Sequence, residues 1–282
     1  MSSRSAQMAA AARAAHLEVD RPAFLFEDTM ARRLLGEQAE ELLSYHHKSG
    51  SQHPVLLGTR LAVTTRARFA EDRLAAAVSS GVSQYVILGA GLDSFAVRST
   101  LGPGLAIFEV DEPQTSAWKG DVLCAAGLAI PANLHLVAGD LGRDPLIDLL
   151  HDAGLDLDAP AFVSWLGVTM YLPIRAIEST LRALAGLAPG SEIVFDHVLP
   201  TNERDAAGAQ YAEFAESVGA ANGEPWLTAP GLVEARRLVA SAGLEIVGQP
   251  LLEQWVDSAL WNRTDELRPS LVWAMAHARV PH

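Results

Sequence analysis

The chain has 282 residues, long enough for one α/β sheet with additions, and 49% of them are hydrophobic, enough for a sizeable core. A formal net charge of −13 argues against a nucleic-acid partner, because phosphate binding needs a basic face. The single Cys124 excludes a disulfide framework or a cysteine metal cluster, Arg13, His16, Glu18 and Asp20 interrupt any signal-peptide core, and no apolar run approaches the ~18–20 residues of a membrane span, so a reduced, soluble, cytoplasmic protein is expected.

Residues 5–19 are alanine-rich and helix-prone, and Pro22 redirects the chain after them. Glu27-Asp28-Thr29 stands where a helix cap would, ahead of Met30–Leu35. Over Leu61–Ala77, Val63, Ala67, Ala70 and Leu74 form one apolar stripe, and Gly81 closes the segment. An N-terminal helical cap over residues 1–80 therefore precedes the first strand, packing on the sheet edge, roofing a ligand crevice or simply covering the core. The cap and residues 81–282 are read as one structural unit.

From Gln84 onward strand and helix alternate. Strands are predicted at 84–88, 105–110, 133–138, 161–166, 191–198, 244–250 and 270–278, and helices at 93–101, 113–127, 144–152, 174–187 and 231–242. Alternation of this kind predicts parallel βαβ units, hence an α/β fold with a doubly wound, mostly parallel seven-stranded sheet. The last segment, Leu271–Ala278, is placed as an antiparallel return. Residues 199–230 form a polar insertion carrying Tyr211, Phe214 and Trp226, too long for a simple connection and read as a lid or a flexible loop.

The chemistry concentrates where the first strand ends. Gly89-Ala90-Gly91 permits positive φ and close backbone approach by a ligand, and Asp93-Ser94 can cap a following helix. Glu109 and Asp111 end the second strand about 20 residues on, the spacing of a ribose-binding carboxylate. Ser94 occupies the position of a dinucleotide fingerprint's third glycine, which disfavours NAD(P) and leaves S-adenosylmethionine as the better ligand. The bland alternative is an ordinary tight turn with an acidic strand end. At the other strand ends lie Asp140-Leu141, Trp165-Leu166-Gly167 and Asp196-His197, and Asp140 serves equally as a helix cap or an adenine contact. His46-His47 and His53 lack metal-ligand spacing, so no metal is expected.

With these strand ends in place the chain resembles the class I S-adenosylmethionine-dependent methyltransferases. It is most similar to the leucine carboxyl methyltransferase-like family, which includes bacterial O-methyltransferases of secondary metabolism. The resemblance rests on Ala10–Arg13, Arg21-Pro22, Phe26-Glu-Asp28, Arg66–Phe69, Leu88–Ser94 with Arg98, Phe108–Pro113 with Lys119, and Trp165–Leu172, in order over roughly two-thirds of the chain. It implies a Rossmann-like methyltransferase fold and S-adenosylmethionine as methyl donor. By the same resemblance Gly89, Ala90, Gly91 and Asp93 line the methionine and ribose, Glu109 and Asp111 meet the ribose hydroxyls, and Asp140 with Leu141 meets the adenine. Trp165 lies in the same set, and Arg66 matches the arginine that pairs with the cofactor carboxylate. Where many members carry Glu-Gly-Val, this chain has Leu166-Gly-Val168, so a polar contact to the cofactor's amino group is missing or supplied elsewhere.

The acceptor expected is a small molecule bearing a carboxylate or a hydroxyl. His197 is the candidate general base and Tyr171 the residue that orients the acceptor, with Trp226 beside them in substrate binding. A satisfied crevice histidine is the other reading of His197. Arg263, in the late polar segment, is read as a surface residue, with binding of an acidic substrate as the alternative. Two further readings stay open, an NAD(P)-dependent oxidoreductase and a non-catalytic regulator on the same fold. Oligomeric state is not legible.

Overall fold

The computed structural model describes residues 3–47 and 53–282. Four helices come first, α1 (Arg4–Val19), α2 (Ala31–Leu34), α3 (Ala39–His47) and α4 (Pro54–Ser79). Ser3 starts α1 by accepting from the Ala6 N–H, and Pro54 opens α4 in its first turn, seven residues before the predicted start. The third helix was not predicted. Asp28 caps α2 as expected, taking the Met30 and Ala31 N–H groups at 3.1 and 2.9 Å.

Among these helices a polar cluster lies beside the apolar core that includes Ala11, Ala15, Leu42 and Leu43. Arg60 is buried and donates to both Asp20 oxygens at 2.8 and 3.0 Å, while His16 Nδ1 lies 2.9 Å from the same carboxylate. The Leu25 N–H donates to His16 Nε2 at 3.0 Å, so the His16 proton sits on Nδ1 and points at Asp20. Arg60 also faces His46 Nδ1 at 3.2 Å, which requires a neutral His46 accepting there. Burial first, and then the Arg60 charge, push the His46 pKa down to about 4. A histidine depressed in the folded state contributes stability that is fully present above pH ~6.5 and is lost as pH falls towards 4. Wild type should therefore lose roughly 3 kcal/mol more stability than His46→Gln between pH 7 and 4. Urea unfolding of the two proteins across that range checks this, and parallel curves would refute it.

The remaining elements follow the predicted strands and helices, with the unpredicted α9 added inside the 199–230 insertion: β1 (Gln84–Leu88), α5 (Phe95–Arg98), β2 (Ala106–Asp111), α6 (Pro113–Ala125), β3 (Leu134–Ala138), α7 (Leu146–Asp152), β4 (Phe162–Trp165), α8 (Ile174–Leu184), β5 (Glu192–Val198), α9 (Ala206–Ala221), α10 (Leu232–Ser241), β6 (Glu245–Gly248) and β7 (Trp273–Arg279). The sheet order is β3-β2-β1-β4-β5-β7-β6. The pairs among β1 to β5 are parallel, and β7 inserts antiparallel between β5 and β6. This is a doubly wound, mostly parallel seven-stranded α/β sheet.

Side chains alternate between two cores. Tyr85 and Ile87 of β1 enter the core that contains Leu61, Phe69 and Leu74 of α4, whereas Val86 and Leu88 enter the one that contains Leu181 of α8 and Leu238 of α10. On β5, Val194 and Val198 face α4 while Ile193 and Phe195 face the other way. That parity decides which strand-end residues can reach a ligand on the α4 side.

The 199–230 insertion is ordered around a helix. Asp205 caps α9 by accepting from the Gly208 N–H at 2.6 Å, and its other oxygen takes the Leu271 N–H at 3.1 Å. The segment beyond α9 is tied down where Leu227 N–H donates to Met170 O at 2.7 Å and Thr228 donates to Thr169 O at 3.0 Å. Arg263 is not a surface residue: its side chain is buried, pairs with Asp265, and donates to the carbonyls of Ala23 and Arg21 at 2.6 and 2.8 Å, latching the C-terminal part onto the helical preface. No helix among the described residues is long and apolar enough to cross a membrane.

Candidate functional site

A cavity of about 640 Å³ lies over the carboxyl ends of β1, β2 and β4, on the α4 side of the sheet. Its size is in the range of small-molecule sites. Its floor begins at the glycine turn. Gly89 and Gly91 have φ of +65° and +49°, a region that L side chains adopt at a cost. A Cβ on Gly89 would run into Val168, and one on Gly91 would stand 2.9 Å from the Ala6 Cβ of α1. Both positions are cradles a side chain would fill.

Asp111 ends β2 with its carboxylate turned back on this turn, accepting from the Gly91 N–H at 2.6 Å and the Glu112 N–H at 2.8 Å. Burial raises its pKa, opposed by those two N–H donors. Asp111 thus holds the glycine turn in place and keeps further lone pairs for a ligand. Glu112, which the sequence reading passed over, lines the cavity beside it, on the first helix-side position after the strand. Asp93 caps α5 through the Phe95 N–H at 2.7 Å and also borders the cavity. At the end of β3, Asp140 accepts from Gly142 N–H at 2.8 Å within a turn rather than capping a helix, since α7 begins only at Leu146 after Pro145, and Asp140 and Leu141 also face the cavity.

Behind the turn, Arg13 of α1 donates to Asp28 at 2.7 Å and to the Leu92 carbonyl at 2.6 Å, and Ser94 donates to Asp28 at 2.7 Å. Arg98 donates to Ser94 at 2.9 Å and pairs with Glu71 of α4. The helical preface is thereby bolted to the loop that would hold a ligand.

Arg66 projects from α4 into the cavity and faces Asp196 at the end of β5, with 3.4 Å between Nη1 and Oδ2. Asp196 is buried and takes the Gly167 N–H at 2.6 Å through its other oxygen. Gly167, at φ +70°, leaves room for the guanidinium where a Cβ would strike it. The remaining wall comprises Val55, Leu56 and Thr59 of α4, Tyr211 and Val218 of α9 with Trp226 of the insertion, Tyr171 from the turn after β4, and Trp273 of β7. Over the mouth, Glu224 takes the Ser5 N–H at 3.2 Å and the hydroxyls of Ser5 and Ser3 at 3.2 and 3.4 Å, joining the insertion to the start of α1.

Three of the residues named from the sequence lie outside this cavity. Glu109 shares the α4-side face of β2 with Asp111 but sits two residues deeper, roughly 7 Å back along the strand. There it is buried against Lys119 of α6, and burial raises its pKa to about 7 despite that lysine. It has no route to a ribose in the cavity. Trp165 has the opposite parity to Ser164 and packs with Phe195 in the far core. His197 likewise alternates away from Asp196. Its Nδ1 lies 2.7 Å from the Pro230 carbonyl, which fixes the proton on that nitrogen. Its Nε2 is buried with no partner among the described residues, and burial lowers its pKa. His197 is a sealed, neutral imidazole. Arg66, Gly89, Ala90, Gly91, Asp93, Asp111, Asp140, Leu141, Tyr171 and Trp226 do line the cavity. Among the described residues no group of His, Cys, Asp and Glu side chains is placed to hold a metal ion.

Comparison with known proteins matches this arrangement. The family model for leucine carboxyl methyltransferase matches residues 6–185. A Bacillus subtilis (strain 168) protein named "Putative S-adenosyl-L-methionine-dependent methyltransferase YktD" is 31% identical over 287 residues, covering 94% of this chain and 94% of its own. A Rhodococcus jostii (strain RHA1) protein of the same description is 35% identical over 208 residues, covering 71% of this chain and 68% of its own. Among solved structures, a DUF574 family protein from Streptomyces avermitilis MA-4680 superposes with a TM-score of 0.63 at 17% identity, over 99% of this chain and 98% of that one, which is a likeness of fold.

Proposed function

The chain belongs to the leucine carboxyl methyltransferase family and is an S-adenosylmethionine-dependent methyltransferase, and we propose that it methylates the carboxylate of a small metabolite, an acid of secondary metabolism in keeping with the branch it resembles. The residues present fit that donor: the Gly89 and Gly91 cradle, an acid at the end of β2 and a guanidinium across from it. The Gly89–Gly91 backbone would hold the methionine part, Asp111 and Glu112 the ribose hydroxyls, Asp140 with Leu141 the adenine, and Arg66 the carboxylate, a charge-assisted contact suited to a guanidinium. When bound, S-adenosylmethionine supplies a methyl group on a sulfonium that is open to in-line displacement.

The observation that carries the choice of acceptor is the sealing of His197. No histidine among the described residues lines the cavity; of the carboxylates that do, Asp111, Asp93 and Asp140 accept from backbone N–H groups, Glu224 is taken by Ser3 and Ser5, and Glu112 lies beside Asp111 at the turn after β2. Tyr171 is no base either, since burial raises the pKa of its phenol. A carboxylate acceptor, with a pKa near 4, arrives already ionised and has no proton to lose. Its oxygen forms the new bond to the methyl carbon, the carbon–sulfur bond breaks with its electron pair retained on sulfur, and a methyl ester leaves. The chain's part is to position the two reactants and exclude water.

The test is the pH dependence of single-turnover methyl transfer to 2-naphthoic acid. The rate should stay flat from pH 7.5 down to about 5.5 and change less than about three-fold in His197→Gln. A steep loss over that interval that disappears in His197→Gln, at constant cofactor affinity, would overturn the carboxylate reading in favour of a base-dependent hydroxyl acceptor.

A further inference from the structure

Two helices lead from the reacting end of the cavity to its mouth. On α4, Arg66, Val63, Thr59 and Val55 recur at intervals of three and four residues and all line the cavity. One face of this helix therefore runs outward from the proposed cofactor site over about 16 Å. On α9, Tyr211, Ala215, Val218 and Asn222 repeat that spacing and line the cavity too. Thr59 and Tyr211 bring the two stripes together, with 3.2 Å between their hydroxyls, and a Cβ on Gly58 would strike the Tyr211 ring.

Burial falls along both stripes. Tyr211 is 8% exposed, Ala215 is half-buried and Val218 is 52% exposed. On α4, Val63 is buried and Val55 half-buried. Leu227, held by the 2.7 Å bond from its N–H to the Met170 carbonyl, lines the cavity and is 56% exposed. A lone exposed valine or leucine is ordinary on a protein surface. Val218 and Leu227 are not alone in that sense, because each continues the lining of one cavity into solvent. The passage is apolar at its outer end and carries a guanidinium at its inner end.

We propose that the acceptor is a carboxylic acid with an aliphatic tail, its carboxylate entering towards the sulfonium and its chain lying along Val55, Val218 and Leu227 out to the mouth. The carboxylate is the end that must meet the methyl group, so the hydrocarbon is the end left in the passage. From Val63 to Val55 the helical rise gives about 12 Å, the length of roughly nine or ten carbons in an extended chain. Covering such a chain removes apolar surface from water on both the ligand and the half-exposed side chains. The inference rests on the carboxylate reading above and adds the class of acid and the residues that select it.

The experiment uses the intact protein, wild type and the single variants Val218→Asp and Leu227→Asp, which alter exposed positions and leave the packed core untouched. Hexanoic acid and decanoic acid, the latter below its micelle concentration, are titrated calorimetrically into the complex with S-adenosylhomocysteine. The constants kcat and KM are measured for both acids and for decan-1-ol. Wild type should bind decanoic acid about ten-fold or more tighter than hexanoic acid, since the added methylenes are partly covered by the passage. Each variant should lose most of that preference by weakening decanoic acid about five- to ten-fold, with S-adenosylhomocysteine affinity unchanged. Equal affinity of wild type for the two acids, or no binding of decanoic acid, would overturn the aliphatic class. An undiminished preference in both variants would overturn the route past Val218 and Leu227. A change from dimer to monomer on sedimentation of either variant, with the preference intact, would assign the exposed strip to a second copy of the chain and overturn the proposal as well. Loss of S-adenosylhomocysteine binding in the variants would show that they act through the fold, with the same consequence. Methylation of decan-1-ol in place of decanoic acid would instead remove the carboxylate reading itself.

Discussion

Gly91→Val is expected to lower S-adenosylhomocysteine affinity about a hundred-fold or more, about 2.7 kcal/mol, while the protein still folds. Three effects act together. At φ +49° a β-branched residue is in a disfavoured backbone region, so the turn is driven to relax. The new Cβ would stand 2.9 Å from the Ala6 Cβ, pressing α1 away from the cavity. Any relaxation pulls the Gly91 N–H off Asp111, which loses the 2.6 Å bond that orients its carboxylate. Titration calorimetry on Gly91→Val, with circular dichroism to confirm folding, makes the measurement. A double variant, Gly91→Ala with Ala6→Gly, separates the causes. Restored affinity would assign the effect to the contact with α1, and persistent loss would assign it to the turn itself and the approach of the ligand to its backbone. Unchanged affinity in folded Gly91→Val would remove this turn from the cofactor site.

Arg66→Met should act on stability and binding at once. Asp196 is buried and faces the Arg66 guanidinium at 3.4 Å, so removing the arginine leaves a carboxylate inside the protein with the Gly167 N–H as its remaining donor among the described residues. Breaking one side of a buried ion pair costs about 3–5 kcal/mol, and urea unfolding should show a loss of that order. The same arginine is proposed to hold the cofactor carboxylate, and a charged hydrogen bond of about 1.5–3 kcal/mol corresponds to a ten- to hundred-fold drop in S-adenosylhomocysteine affinity. Arg66→Lys keeps the charge and should recover much of the stability, but an ammonium cannot replace a planar fork, so affinity should recover less. Full affinity in Arg66→Met would separate this residue from the cofactor and leave it as a partner of Asp196 alone.

Much of the fold was legible because it follows from local rules. The seven strands are apolar runs bounded by turns, and each predicted helix from α5 to α8 and α10 overlaps an observed one. Helix α9 carried a readable signal, Asp205 ahead of an alanine-rich stretch, that the polar composition of 199–230 obscured. Helix α3, flanked by the 3-10 turn Gly36–Gln38, has no comparable break in its sequence to announce it.

What the sequence by itself determined is the glycine turn at the end of β1. Gly89 and Gly91 are constrained by their own backbone, and Asp111 by its place at the end of its strand, so these assignments needed no knowledge of neighbouring elements. Strand periodicity likewise settles that Asp196 and His197, or Trp165 and Leu166, point to opposite faces. It does not settle which face holds the cavity. That depends on where α4, α1 and α9 pack, and they cover the face of Leu166 and Asp196, so Trp165 and His197 are turned into the opposite core and Glu109 is covered by α6. The aromatic side of the cavity is wholly a product of tertiary structure. Val55 and Thr59, Tyr171, Tyr211, Trp226 and Trp273 are separated by up to some 200 residues, and only the antiparallel insertion of β7 beside β5 brings the last of them to the others.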